Sequence, residues 1–557
     1  MPPNISKNLT FELPLVAWRR RLLQIIPGAL SWGTLIGLSV LAIFLPFWIA
    51  IFVIAYDIYA LLRAVYMSIH LVYAYRRLRR EKKIHWLDRC RGISGDLNTY
   101  RRLLSDQLAA LSRTTSVERE KIRQLNKHLT EVRQLIKERR HIFNWANVHH
   151  AVILPTYDES ITVLRTSLKA LTAGDFPLDR LHVVVGFEDR AGRTARARAE
   201  QLTREFGHKF GTFITAFHPD GLPGETRVKS ANATWAIKQL VKELSRQKIP
   251  VDSILVSNFD SDTVASPSYF SCLTYTFITH PNRYRVSYQP LPMYHNNVWD
   301  APAFSRVIAT GSTFWQMIES TRPERLVTFS SHSLTLKALL DIGYWQTNII
   351  SEDSRVFWQC LLRYDGHYQT QPIYTTVSMD AALAQSWWQT FKNQYKQKRR
   401  WAWGIENFPY LVDGFIKNRK ISWRVKTTYL FRTLEGHLSW ATMPIIIAGL
   451  GWLPIFFGGY AFHQTVLSYT LPRMARTIMS IAMLGLIVST TISLMLLPPR
   501  PARYRRWRYL TMIFQWILVP VIATVLSAIP ALDAETRMML GRDLQFNVMV
   551  KARKSEA

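Results

Sequence analysis

Asp260-Ser261-Asp262, Ser351-Glu352-Asp353 and Gln397-Lys398-Arg399-Arg400-Trp401 follow one another within a single soluble-looking stretch of the chain. Two carboxylates one residue apart offer hard oxygen ligands of the kind that Mg²⁺ or Mn²⁺ takes. Asp353, second of an acidic pair, is a candidate general base. Arg400 brings a planar fork suited to phosphate oxygens, Trp401 an apolar face against which a sugar ring can pack, and Gln397 an amide that can fix orientation. Long uncharged apolar segments flank the stretch on both sides. In that order and setting the three groups read as metal-dependent sugar transfer at a membrane surface.

The elements that position these residues are written in short apolar runs. Val152 to Leu154, Val183 to Phe187 and Ile254 to Val256 each end in polar or acidic residues and are separated by helix-length segments. Parallel strands with crossover helices have this texture, and their ligand sites gather beyond the carboxyl ends of the strands. Tyr157-Asp158-Glu159, Glu188-Asp189 and Asp260-Ser261-Asp262 all fall there. An α/β catalytic domain over 148–380 is the expectation.

The flanks are built for a bilayer. No charged side chain occurs from Leu22 to Tyr56, a run that as one helix would reach roughly 50 Å against about 30 Å of hydrocarbon. It is expected to turn near Pro46 into two spans, about 25–46 and 49–75, within a membrane region 1–80. The first apolar segment is too long for a signal-peptide core and is expected to stay as an anchor. Three further apolar stretches, 438–458, 477–499 and 509–532, make a second membrane region over 433–533. Pro520 and Pro530 interrupt the last stretch, so it either spans or is re-entrant or interfacial, and a basic tail, 534–557, follows it with Arg537, Arg542, Lys551, Arg553 and Lys554.

With 557 residues, 70 Lys and Arg and 39 Asp and Glu, the chain carries a formal +31, which calls for a negatively charged partner or surface. Placement chooses the partner. Arg19, Arg20 and Arg21 precede the first span; Arg76, Arg77, Arg79, Arg80, Lys82 and Lys83 follow the second; Arg500, Arg503, Arg505, Arg506 and Arg508 lie between the last two. Basic residues at span ends mark the cytoplasmic side and hold anionic lipid. An integral protein of the plasma or inner membrane with a cytoplasmic catalytic domain follows. Nucleic acid is not the expected partner, because no helix-turn-helix, zinc-finger or RNA-recognition signature accompanies the charge. Cys90, Cys272 and Cys360 stand too far apart for a metal cluster or disulfide framework.

Two linking regions complete the layout. Over 84–147 the pattern is charged and helical, with Ile122, Leu125, Leu129, Val132 and Ile136 forming one apolar stripe, as in a helical hairpin packed on the catalytic domain or a neighbour. Over 381–432, Trp387, Trp388, Phe391, Tyr395, Trp401, Trp403 and Phe408 alternate with Lys396, Lys398, Arg399 and Arg400, a texture suited to helices in the headgroup plane. Asp57 and Arg63 in the second presumed span either line a path for acceptor or product or hold two helices together. His332 reads as a packed or solvated histidine rather than a catalyst, and the pair His149-His150 has no metal-ligand partners at suitable spacing.

From Val148 to Gly404, and in the layout of its flanking spans, the chain resembles the membrane-embedded family 2 glycosyltransferases, the group that contains cellulose synthase and hyaluronan synthase. The matching elements are Pro155-Thr156-Tyr157-Asp158-Glu159, an acidic pair after the next strand, Lys229 ahead of Asp260-Ser261-Asp262, then Glu352-Asp353 and the Gln397-x-x-Arg400-Trp401 box. The resemblance implies a GT-A-type nucleotide-sugar-binding domain with a mostly parallel sheet, inserted between N- and C-terminal transmembrane helices. It places the nucleotide on Thr156, Tyr157, Glu188 and Asp189, with the Tyr157 ring stacked on the base. The family usually has Asp-Asp or Asp-Gly where this chain has Glu188-Asp189, which leaves open which carboxylate faces the base. Ser351 stands where the family motif begins with Thr and keeps the hydroxyl.

Transfer from a nucleotide diphosphate sugar develops negative charge on the leaving diphosphate, so the site needs a divalent cation and fixed positive groups. Asp262 is assigned to the metal, Asp260 to metal or nucleotide, and Lys229 to the diphosphate as a compact charge. Glu352 belongs with the substrate-binding group. A single base, Asp353, suffices for one displacement with inversion. The expectation is a membrane-bound inverting transferase that uses a nucleotide diphosphate sugar, a UDP-sugar foremost, and extends a polysaccharide. Transfer of one sugar to a lipid or polyprenyl phosphate is the alternative, and an inactive membrane scaffold of the same fold is the non-enzyme rival.

Overall fold

A computed structural model describes residues 17–111, 115–138 and 142–544. Of the basic tail, residues from 545 onward, with Lys551, Arg553 and Lys554, lie outside the described residues.

Among the described residues eight strands form one sheet. They are β1 (His149–Pro155), β2 (Leu181–Glu188), β3 (Thr212–His218), β4 (Ile254–Asn258), β5 (Val264–Ala265), β6 (Val286–Met293), β7 (Ser333–Thr335) and β8 (Gln369–Ser378). The order across the sheet is β3-β2-β1-β4-β7-β6-β8-β5. Pairings β1 with β2, β1 with β4, β2 with β3 and β6 with β8 are parallel, and β7 runs antiparallel to both its neighbours. The mostly parallel α/β sheet expected over 148–380 is therefore what forms. Strands β1, β2 and β4 are buried almost throughout because helices cover both faces, which is why they read as continuous apolar runs.

The chain reverses direction across the sheet at β1, whose neighbours are β2 on one side and β4 on the other. Crevices form at such switch points beyond the strand ends. The helix Lys229–Arg246 packs across β1, β2 and β3 through Ala233, Ala236, Ile237 and Leu240, so its first turn is delivered to that crevice.

Among the described residues four helices are long and apolar enough to cross a membrane: Trp18–Phe44, Pro46–Glu81, Val466–Leu496 and Arg508–Met539. The pair Trp423–Ala448 and Leu450–Phe457, bent by 47°, qualifies as a fifth span if taken together. Its first helix begins well before residue 438, because Arg424, Lys426, Arg432 and Glu435 occupy the turns ahead of the apolar stretch. The turn at Pro46 is where the first apolar run breaks. The last stretch is helical throughout but irregular, with a π-helical turn at Thr524–Ala528 between Pro520 and Pro530.

At 36 residues the second helix reaches roughly 54 Å, well beyond the hydrocarbon. Its overhang docks on the α/β domain: Leu71, Ala74, Tyr75 and Leu78 share a core with Leu291, Met293, Met317 and Tyr374, and the Arg77 guanidinium lies 3.9 Å from the Tyr374 ring centre. Arg63 of the same helix pairs with Glu435 at 3.1 Å, a helix-to-helix contact. The hairpin formed by Leu97–Ala109 and Ser116–Lys137 packs on the back of the domain, where Leu129 and Val132 join the core under β1 and β2.

Candidate active site

The residues after β4 meet the first turn of two helices. Lys229, opening the helix Lys229–Arg246, places its Nζ 2.6 Å from Asp260 Oδ1, 3.5 Å from Glu352 Oε1 and 3.7 Å from Asp353 Oδ1. Glu352 and Asp353 occupy the first turn of the helix Glu352–Arg363, where the helix dipole favours negative charge. Two motifs separated along the chain therefore converge on one ammonium group. Burial alone would lower the Lys229 pKa, but Asp260, Asp353 and Glu352 more than offset it and the net shift is upward. Glu352 is shifted upward, first by burial and then by Asp353, with Lys229 opposing.

Each carboxylate is held from behind. Asp260 Oδ2 accepts from Ser330 Oγ at 2.5 Å. Asp262, fully buried, accepts from the backbone N–H of Asp380 at 2.8 Å through Oδ2, and its own carbonyl accepts from Asn296 at 2.9 Å. Ser351 does not cap its helix; its backbone N–H and hydroxyl both donate to Glu406, at 3.0 and 2.6 Å. His332 Nδ1 lies 3.8 Å from Asp353 Oδ1 and 3.0 Å from the carbonyl of Phe329. Only an Nδ1–H can serve that carbonyl, which fixes the tautomer. Burial, the largest influence, lowers the His332 pKa.

The box lies on the helix Trp387–Ala402. Trp401 meets Phe329 edge-on at 6.3 Å and packs beside Tyr294 and Met379. Tyr294 is the shared wall: burial first, then Asp260, Asp262 and Asp353, raise its pKa, while Arg400 opposes them. Arg400 and Trp401 thus border the acidic cluster. Gln397 accepts from Gln394 on its own helix at 3.0 Å. Arg399 pairs with Asp533 at 2.8 Å and ties the box to the last membrane helix.

The four nucleotide residues expected from the resemblance sit at the ends of β1 and β2, next to β4. Thr156 Oγ1 and the Tyr157 N–H both donate to Glu159, at 2.7 and 2.8 Å. The Arg190 guanidinium lies 4.5 Å from the Tyr157 ring centre. Glu188 and Asp189 point apart: Glu188 is buried against His218, at 3.3 Å, and Arg190, whereas Asp189 is half-exposed and pairs with Arg196 at 2.5 Å. His218 is also 2.7 Å from Glu225. Burial lowers its pKa, but Glu188 and Glu225 more than offset this and the net shift is upward.

Sequence reading missed the residues that join these groups. Asn232, one turn after Lys229, donates to the carbonyls of Gly186 and Thr156 at 2.8 and 3.2 Å, locking β2 to β1 beside the site. Gly186 is required for that approach, since a Cβ there would meet Asn232 Oδ1 at 2.3 Å. Ser330 and Tyr294 carried no periodic or motif signal. Of the two readings of His332, packed or solvated, the structure shows the packed one, and the ring is also a neighbour of Asp353.

Among the described residues no cluster of three or more His, Cys, Asp or Glu is arranged to hold a metal ion. Asp260 and Asp262 stand one residue apart after β4, Asp260 held by Lys229 and Ser330 and Asp262 by the Asp380 backbone N–H, and their carboxylates are hard oxygen donors of the type that suits Mg²⁺ or Mn²⁺.

The family model described as glycosyl transferase family group 2 matches residues 255–529, from β4 through the acidic cluster and the box into the C-terminal membrane helices. A cellulose synthase catalytic subunit (UDP-forming) from Pseudomonas fluorescens strain SBW25 is 22% identical over 337 residues, 58% of this chain and 40% of that protein, so the chain spans well under half of that relative's length. Among solved structures, the mannosyltransferase PcManGT from Pyrobaculum calidifontis, in complex with GDP-Man and Mn²⁺, is 13% identical with a TM-score of 0.36, over 62% of this chain and 87% of that one. S. aureus TarS 1-349 in complex with UDP is 12% identical with a TM-score of 0.32, over 72% and 94%.

Proposed function

We propose that the chain acts as a membrane-embedded family 2 glycosyltransferase that transfers a sugar, with inversion, from a nucleotide diphosphate sugar to a growing polysaccharide at the cytoplasmic face. One observation carries the reading: Lys229 Nζ stands within 3.7 Å of Asp260, Glu352 and Asp353 at once. Donor-binding and base motifs so joined can act on one reacting centre.

In this reading Thr156, Tyr157 and the Glu188-Asp189 pair hold the nucleotide, with Glu188 the inward member. Lys229 and Arg400 face the diphosphate and offset the charge that grows on it as the sugar leaves. Mg²⁺ or Mn²⁺, held by Asp260 and Asp262, would supply further positive charge to the same diphosphate. Asp353 takes the proton of the acceptor hydroxyl during attack. Glu352, buried and shifted upward, fixes Lys229 rather than acting as a second base. Trp401 and Gln397 border the space for the sugar and acceptor. A UDP-sugar is favoured by the printed name of the curated relative, which also supports a polymeric product. The basic residues at both ends of the first helical hairpin support a cytoplasmic domain.

Membranes containing the protein, incubated with a panel of labelled nucleotide sugars, test this directly. A long product from one UDP-sugar supports the reading. A single mobile lipid product replaces the polymer with a one-sugar transferase, and no product from any donor removes the activity.

A further inference from the structure

A second basic pocket lies away from the acidic cluster, where the overhang of the second membrane helix, the hairpin helix Ser116–Lys137 and the back of the catalytic domain meet. Its volume is about 290 Å³. Arg77 and Arg80 enter it from the membrane helix, Arg89 from the short helix Trp86–Ile93, and Arg123 and Lys127 from the hairpin helix. Three carboxylates share the space and each has a cation: Glu81 pairs with Arg77 at 2.6 Å, Glu120 with Arg123 at 3.3 Å and Glu131 with Arg89 at 3.7 Å. Arg80 donates to the Arg76 carbonyl at 3.3 Å, and Lys127 acts on Glu131 as a second cation beside Arg89, so five cations face three carboxylates. The floor is polar and aromatic, with Tyr275, Thr276 and Gln371.

We propose that this pocket binds a phosphate ester of about glycerophosphate size. Two surplus cations in a concave, partly enclosed space concentrate positive potential, and an arginine fork beside a lysine point charge is the usual pairing for phosphate oxygens. At about 30 Å³ for each water displaced, the pocket has room for roughly ten waters, more than a bare inorganic ion would fill. Arg77 and Arg80 follow directly on the apolar part of their helix, which sets the pocket at headgroup level. The phosphate ester therefore comes either from a lipid headgroup or from a soluble metabolite. An occupant would neutralise the surplus charge and clamp the membrane helix, the hairpin and β8 together.

Thermal unfolding of the full chain in a neutral detergent tests this, with glycerol 3-phosphate and dihexanoyl-phosphatidylglycerol as probes and sodium chloride at matched ionic strength as control. We expect a saturable rise in unfolding temperature that weakens about tenfold in apparent affinity in R80Q/K127Q and persists in R400Q, whose substitution lies in the other site. A response to glycerol 3-phosphate assigns a soluble source; a response to the phospholipid alone assigns a headgroup. If R80Q/K127Q does not fold, K127Q alone is judged by the same criterion. No response to either probe, an equal response to chloride, or an unchanged affinity in the pocket variant would overturn the proposal.

Discussion

Lys229 Nζ and Asp260 Oδ1 stand 2.6 Å apart, joining the first turn of the helix that packs on β1, β2 and β3 to the loop after β4. Because Glu352 and Asp353 share the same ammonium, removing it affects more than one pair. Lys229→Gln leaves the buried Glu352 without its cation, a loss on the order of 1–3 kcal/mol once protonation of that carboxyl is allowed for. Glu352→Gln in the same chain should restore part of the unfolding temperature but not transfer. A double-mutant cycle by thermal unfolding measures this coupling; additive losses would contradict it.

Gly186→Ala drives a methyl into Asn232 Oδ1 and is expected to cost about 1–3 kcal/mol through overpacking. Asn232→Ala removes the donor to two carbonyls beside the site and is expected to cost a similar amount, about 1–3 kcal/mol. The double variant should lose less than the two single losses together, since the clash vanishes with the amide. Chemical denaturation of the three variants checks the sign of the interaction.

Much of this arrangement was legible in the chain. The apolar runs that became β1, β2 and β4 ended where the candidate residues began, because a strand buried on both faces writes itself as unbroken apolar sequence. Other strands were hidden. In β3, Thr212 and Thr215 break the apolar run, and β7 has only three residues. In β6, Pro290 and Pro292 argue against an interior strand, yet Pro290 falls at a register shift between Gln289 and Leu291, where the missing N–H is tolerated. The supporting contacts of the site were hidden for a different reason: Asn232, Ser330 and Tyr294 act through single side-chain contacts that leave no spacing to read. The sequence also could not tell that Glu188 turns inward and Asp189 outward, since both are acids at the same strand end.

The His218 bridge between Glu188 and Glu225 predicts a pH dependence. Its folded pKa lies above the ordinary histidine value, so the folded state holds the proton where the unfolded state has lost it. Its contribution is complete below about pH 6.5 and is lost as pH rises through the folded value. The wild-type advantage in unfolding temperature over His218→Gln should therefore shrink on going from mildly acidic to alkaline buffer. An advantage that does not change with pH would contradict this.

Metal removal offers a separate check. Chelation is expected to stop transfer, with recovery on adding Mg²⁺ or Mn²⁺. Asp262→Asn should need a higher cation concentration for half-recovery or fail to recover, because it removes one of the two carboxylates proposed to hold the cation. Transfer that persists undiminished in chelator would remove the cation from the account.

Asp353→Asn is the most direct test, since it keeps shape and helix start while removing the proton acceptor. The account predicts that transfer from the labelled donor falls by about two to four orders of magnitude, the scale of general-base assistance, while donor affinity by calorimetry stays close to wild type. Transfer at an unreduced rate in Asp353→Asn, with the donor still bound, would contradict the central claim that this carboxylate activates the acceptor beside Asp260 and Asp262.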